Sequence, residues 1–227
     1  RSAAAAAPLG AEPTFAAQAA RAFYIFEALL MTAIVLAGFW PFYRDLPGGS
    51  VPRHPVMYLH GAVFTGWLAL LFSQVVLVYR REVQTHRRLG RIGGAYAVLV
   101  LLMGVAVTVI APVEHVRAGR WTLDYAAGFL VLPIGDLILF GGLFAWGMAT
   151  RRVPATHKRL MLLASNALIF PGAARLLEPA IVPMLALWFL PIVLAMAFDK
   201  LTLGRVHRIY WIGCALMLAA FARVALI

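Results

Sequence analysis

PVMYLHGAVFTGWLALLFSQVVLVY, residues 55–79, is followed by RREVQTHRRLGR, residues 80–91, and then by another long apolar run. A helix crosses the hydrocarbon core of a bilayer in about 20 apolar residues, so the first phrase is long enough to span. The arginine-rich phrase after it is what a loop at the membrane surface carries. The same alternation runs along the chain and predicts an all-α fold, a seven-transmembrane helix bundle. Its spans are read at 22–43, 55–79, 89–112, 125–149, 158–177, 180–198 and 208–227. Residues 1–20, with Ala3 to Ala7 in a row and then Pro8, Gly10 and Pro13, have no periodic apolar face and read as a mobile or surface-lying leader. Residues 21–227 then form one bundle domain. The first residue is Arg1, which reads as a trimmed, processed or partial chain, so targeting information ahead of it is unreadable.

Composition agrees with this reading. Of the 227 residues 63% are hydrophobic and 13% charged, and mean hydropathy is +0.87, which excludes a soluble enzyme, a disordered tail and a secreted disulfide scaffold. The formal charge of +11 sits between apolar runs and reports topology and contact with anionic lipid head groups, not nucleic acid. Cys214 is the single cysteine, which leaves no intrachain disulfide and no multi-cysteine iron–sulfur or metal site.

The fifth span is short and runs into Pro171-Gly172, so it reads either as a crossing or as a re-entrant hairpin. With seven crossings, Arg1, Arg21, Arg80, Arg81, Arg87, Arg88, Arg91, Arg151, Arg152, Lys158, Arg159, Lys200, Arg205 and Arg208 share one side. They are 14 of the 20 basic residues. A re-entrant fifth segment weakens that split, and the expected topology is seven crossings with a cytoplasmic N-terminus and an external C-terminus. Gly90-xxx-Gly94, Gly93-xxx-Ala97 and Gly141-Gly142 are provisions for close helix packing.

Three inner loops close on a similar phrase: His86-Arg87-Arg88-Leu89-Gly90-Arg91, His157-Lys158-Arg159-Leu160-Met161 and His207-Arg208-Ile209-Tyr210. The repeat implies three diverged helical hairpins after a lone first helix. Its histidines either anchor phosphate head groups at helix starts, or converge as haem ligands, metal ligands or a quinone and proton site.

Ionisable groups at membrane depth are costly and face the bundle interior with a partner. Glu27, His60, Asp136 and Arg175 are the candidates. His60, Trp67 and Gln74 follow at seven-residue steps, a stripe that can line a planar cofactor or a quinone. Asp136 is expected beside His60 or Arg175. Glu27, read as about five residues into its span and near the inner surface, is expected to pair with Arg87, Arg88 or Arg159. Arg175 lies on the His157 face of its helix at the opposite surface, with Asn166 to one side; it can pair with Glu178 or hold a carboxylate such as a haem propionate. A second outer haem ligand beside His60 has to come from His54 or His115. Phosphate loops, His-Glu-x-x-His and Gly-x-Ser-x-Gly are absent, and no lysine lies mid-span to carry retinal.

The phrases His54-Pro55, His60-Gly61, Trp67, Gln74, His86-Arg87-Arg88-Leu89-Gly90, His157-Lys158-Arg159-Leu160-Met161 and Gly204-Arg205-Val206-His207 resemble a family of uncharacterised bacterial multi-pass membrane proteins, over most of residues 54–215. That family implies the fold and no reaction. More loosely, histidines at helix ends flanking a bundle are similar to membrane-bound b-type cytochromes, whose axial histidines, in contrast, sit well inside their helices.

The expected activity is haem- or quinone-linked electron transfer in the cytoplasmic membrane. Haem b or a quinone would be contacted by His60 with Trp67 and Gln74, or by His86, His157 and His207, with Arg175 for a carboxylate. A second expectation is a zinc hydrolase on His86, His157 and His207, assisted by Glu27 or Asp199. The third is a non-catalytic transport or accessory subunit using Asp136 and His60 for a proton or substrate.

Overall fold

A computed structural model describes residues 15–45 and 54–222, with side chains from Gln18 onward. All regular elements among them are helices. In chain order they are α1 (Phe15–Gly38), α2 (Trp40–Arg44), α3 (Pro55–Tyr79), α4 (Val83–Arg117), α5 (Leu123–Phe129), α6 (Val131–Ala149), α7 (Pro154–Ala167), α8 (Phe170–Leu177), α9 (Ile181–Leu203) and α10 (Arg208–Ala222). Five segments are long and apolar enough to cross a membrane: Gln18–Gly38, Pro55–Tyr79, Val83–Arg117, Leu123–Ala149 and Ile181–Leu203. A sixth is the pair α7 and α8, bent by 44°. The chain is therefore an all-helical, multi-pass membrane protein. The seventh expected segment is the shorter apolar α10, and residues 223–227 of it, with Arg223, lie outside the described residues.

Several boundaries differ from the sequence reading, each for a local reason. α1 begins at Phe15, seven residues before the expected span, so the last part of the expected leader is helical; the rest of that leader, residues 1–14, lies outside the described residues. The helix stops at Gly38 because Pro41 follows and starts the separate turn α2. α4 begins at Val83, which draws His86, Arg87 and Arg88 into its first two turns. The fifth segment breaks at Leu168-Ile169. Pro171 has no N–H to give the carbonyl of Ala167, and the chain restarts as α8 with that proline at its first turn.

Of the three expected hairpins, α3 with α4 and α6 with α7 pack closely. The third does not: α10 lies against α6 and α7 and barely touches α9. Gly213 explains the choice of neighbour, since a Cβ there would stand 2.6 Å from Leu163 Cδ1 of α7. Of the anticipated small-residue pairs, Gly93-xxx-Ala97 is buried and tight, a Cβ at Gly93 standing 3.3 Å from Leu70 Cδ2, whereas Gly94 and Gly142 have nothing within 4 Å of an added Cβ. Among the described glycines, the tightest backbone contact is α1 on α8, at Gly38 and Gly172. α1 also packs on α3 and α9, so the helix left without a partner in the repeat has several neighbours. The core holds Met31, Ile34, Val100, Phe140, Leu160, Leu163, Trp188 and Ile192.

Candidate functional site at the starts of α4 and α7

Two of the three repeated histidines meet. His86, in the first turn of α4, and His157, in the first turn of α7, have ring centroids 6.4 Å apart and planes at 78°. Each ring is fixed by a neighbour. His157 Nδ1 lies 2.8 Å from the carbonyl of Gly147, near the end of α6, where carbonyls lack intrahelical partners. A carbonyl only accepts, so His157 carries its proton on Nδ1 and leaves Nε2 as a base or ligand. His86 is fixed by α3: the Gln74 side-chain amide bonds its Nδ1 and accepts from Gly90 N–H at 3.0 Å. Since the amide oxygen faces Gly90 N–H, its NH₂ donates to His86 Nδ1; Nδ1 accepts, and the neutral His86 ring carries its proton on Nε2, the reverse of His157. Gln74 thus belongs with His86, at the far end of the stripe that begins at His60.

The third histidine of the repeat, His207, turns elsewhere. Its N–H donates to Asp199 Oδ2 at 3.1 Å, and its Nδ1 accepts from Ile209 N–H at 3.3 Å, capping the start of α10. Burial, and next the Arg159 guanidinium, hold the His207 imidazole below the ordinary histidine value. Among the described residues no group of three or more His, Cys, Asp or Glu side chains stands together as a metal site. The proposed trio is therefore a pair plus a cap.

Beside this pair a buried clasp joins α7, α9 and α10. Arg159 Nε donates to Asp199 Oδ2 at 2.9 Å, its Nη2 to Asp199 Oδ1, and its Nη1 to the Ala155 carbonyl at 2.6 Å. Both residues are 2% exposed. The guanidinium lies 5.6 Å from the Tyr210 ring centroid, and Lys158 lies 4.9 Å from that of Tyr24 on α1. Phe23 stacks on Phe198 at 4.1 Å, completing the seam between α1 and α9. Tyr24 and Tyr210 carried no sequence signal when read singly; their positions, one turn before Glu27 and just after His207-Arg208, were the available clue.

The remaining candidates do not gather around one pocket. Glu27 is fully buried, and neither carboxylate oxygen has a hydrogen-bond partner. The expected pairing with Arg87, Arg88 or Arg159 is not formed, because Arg159 is committed to Asp199. Along α1, Glu27 stands one turn beyond Tyr24, whose ring meets Lys158 at the start of α7. His60 stacks on Phe64 at 4.1 Å and faces the Met103 main chain. Trp67 is edge-on to Phe140 at 4.9 Å and to Phe144 at 5.7 Å, so the middle of the stripe is core packing. His54 caps α3 through Val56 N–H, and His115 stacks on Trp121 while accepting from Arg120. Neither is brought to His60 as a second outer ligand.

Asp136 is buried and lines a narrow gap with Leu132, Phe170, Trp188 and Phe221. Asn166 ties α7 to α9 at the helix break. Its Nδ2 donates to the Trp188 carbonyl at 3.1 Å, and Trp188 Nε1 donates back to the Asn166 carbonyl at 3.0 Å. Arg175 donates to the Pro171 carbonyl and lies 4.4 Å from the Phe39 ring centroid, at the end of the bundle opposite His157. A groove of about 390 Å³ between α6 and α10 is lined by apolar residues such as Ile134, Ile138 and Ala220 and includes none of the candidate residues. No family model, no curated protein and no solved structure matches the chain.

Proposed function

We propose that this chain is a seven-span electron-transfer protein of the cytoplasmic membrane, with its N-terminus inside and its C-terminus outside, in which His86 and His157 hold haem b or contact a quinone. The observation that carries the reading is the facing of two imidazoles from α4 and α7 at 6.4 Å, each fixed through Nδ1. Two imidazoles sharing one metal through Nε2, with metal–nitrogen bonds of roughly 2.0–2.1 Å, have centroids roughly 6 Å apart. A b-type haem asks the protein for two axial ligands: His157 offers a free Nε2, and His86 would be the second once its proton moved to Nδ1 and the Gln74 amide turned to accept it. Zinc asks for at least three protein donors, so the hydrolase reading has less support. A quinone head group would use the same imidazoles as hydrogen-bonding partners. The topology rests on the side that gathers 14 of 20 basic residues and on the apolar run from α10 to Ile227.

The test is the absorption spectrum of the purified chain together with analysis of its extracted quinones. A Soret band is expected, lost in His86→Ala and in His157→Ala and kept in His207→Ala. Co-purifying quinone lost in the same two variants would identify the other ligand. A preparation without either chromophore or quinone overturns the proposal.

A further inference from the structure

We infer that Glu27 is a proton-binding site inside the membrane, connected to the inner surface by the hydroxyls of Tyr24 and Tyr210. The inference stands whatever His86 and His157 hold. Its basis is a carboxyl group that is 0% exposed, within an apolar helix, with no donor or cation on either oxygen. A carboxylate left so would bear the full cost of an uncompensated charge in a medium of low dielectric constant. A bound proton removes that cost with nothing else in place.

The connection follows from what lies one turn away. Tyr24 and Glu27 are three residues apart on α1 and share a face. The Tyr210 hydroxyl of α10 is buried near that of Tyr24, without a formed hydrogen bond between them. Below them come Lys158, Arg159 and Asp199, then His207 at the inner ends of α9 and α10. Polar groups from α1, α7, α9 and α10 thus run from the inner end toward Glu27, and rotation of the Tyr24 and Tyr210 side chains would close the hydrogen bonds that neither Tyr210 Oη nor the carboxyl group makes at rest. In each transfer a hydroxyl gives its proton to the next oxygen and regains one from the inner side. The net change is one proton moved from water to Glu27, with no oxidant or reductant required.

Infrared spectroscopy of the full chain in lipid nanodiscs at neutral pH tests both parts. The carbonyl band of a protonated carboxylic acid is expected in the unsubstituted protein and absent from Glu27→Gln. Incorporating glutamate labelled with ¹³C at the side-chain carboxyl is expected to shift the same band in the unsubstituted protein, so the result does not depend on how the variant folds. Transfer to D₂O is expected to shift the band at least tenfold more slowly in the Tyr24→Phe, Tyr210→Phe double variant. A glutamate carboxylate band in place of the acid band, as a bound sodium ion would give, overturns the proton site. Unchanged exchange in the double variant overturns the connection.

Discussion

Asp199→Ala is expected to destabilise the folded chain by about 3–5 kcal/mol, the range for removing one partner of a buried ion pair. Arg159 keeps a full charge at any working pH, and at 2% exposure it has no water to replace the two bonds it loses. The carboxylate also receives the His207 N–H, so the same substitution loosens the entry to α10. Asp199→Asn keeps one acceptor for the guanidinium and is expected to lose less. Replacing both partners, Arg159→Met with Asp199→Leu, removes both desolvation costs and is expected to recover most of the loss. Unfolding by SDS from mixed micelles, followed by circular dichroism, compares the variants directly. A loss under about 1 kcal/mol for Asp199→Ala would mean that water reaches the pair and that it behaves as a surface ion pair.

The helical, multi-pass architecture was legible because hydrophobic runs near the bilayer thickness leave little choice of structure. Residues 55–79 are the clearest case, matched to the residue by α3. Helix ends and breaks were less legible. The expected start at residue 22 followed hydropathy, whereas α1 continues back to Phe15 through the helix-favouring Ala16-Ala17-Gln18-Ala19-Ala20. The repeat at His86, His157 and His207 correctly marked helix starts, but it said nothing of direction. Whether such a histidine turns to a neighbouring helix or caps its own depends on what lies opposite: Gln74 and the Gly147 carbonyl for two of them, Asp199 for the third. Glu27 was paired with the wrong arginines for the same reason. Arg159 is flanked by a closer acid on α9, and sequence separation hides that 40-residue contact.

Gly38→Ala is expected to cost about 2–3 kcal/mol, because an added methyl group here meets backbone and not a side chain that can move. Its Cβ would overlap the Gly172 carbonyl oxygen and lie 2.7 Å from the Gly172 carbonyl carbon and 2.8 Å from its Cα. Only a shift of α8 away from α1 relieves that overlap, and close backbone approach is the main source of helix association in lipid. Gly172→Ala meets α1 from the other side, at 3.0 Å from Val35 Cα and 3.2 Å from the Ile34 carbonyl oxygen, and is expected to cost less. The two losses should not add, since the displacement forced by either substitution makes room for the other. Gly94→Ala serves as the control: it meets nothing within 4 Å, and replacing a helical glycine there should gain about 0.5–1 kcal/mol. The SDS midpoints of the two single variants, the double variant and the control decide the matter. Additive losses at Gly38 and Gly172 would show that the two glycines do not share one contact, and α8 would then have to be held to α1 by side chains such as Arg175 over Phe39.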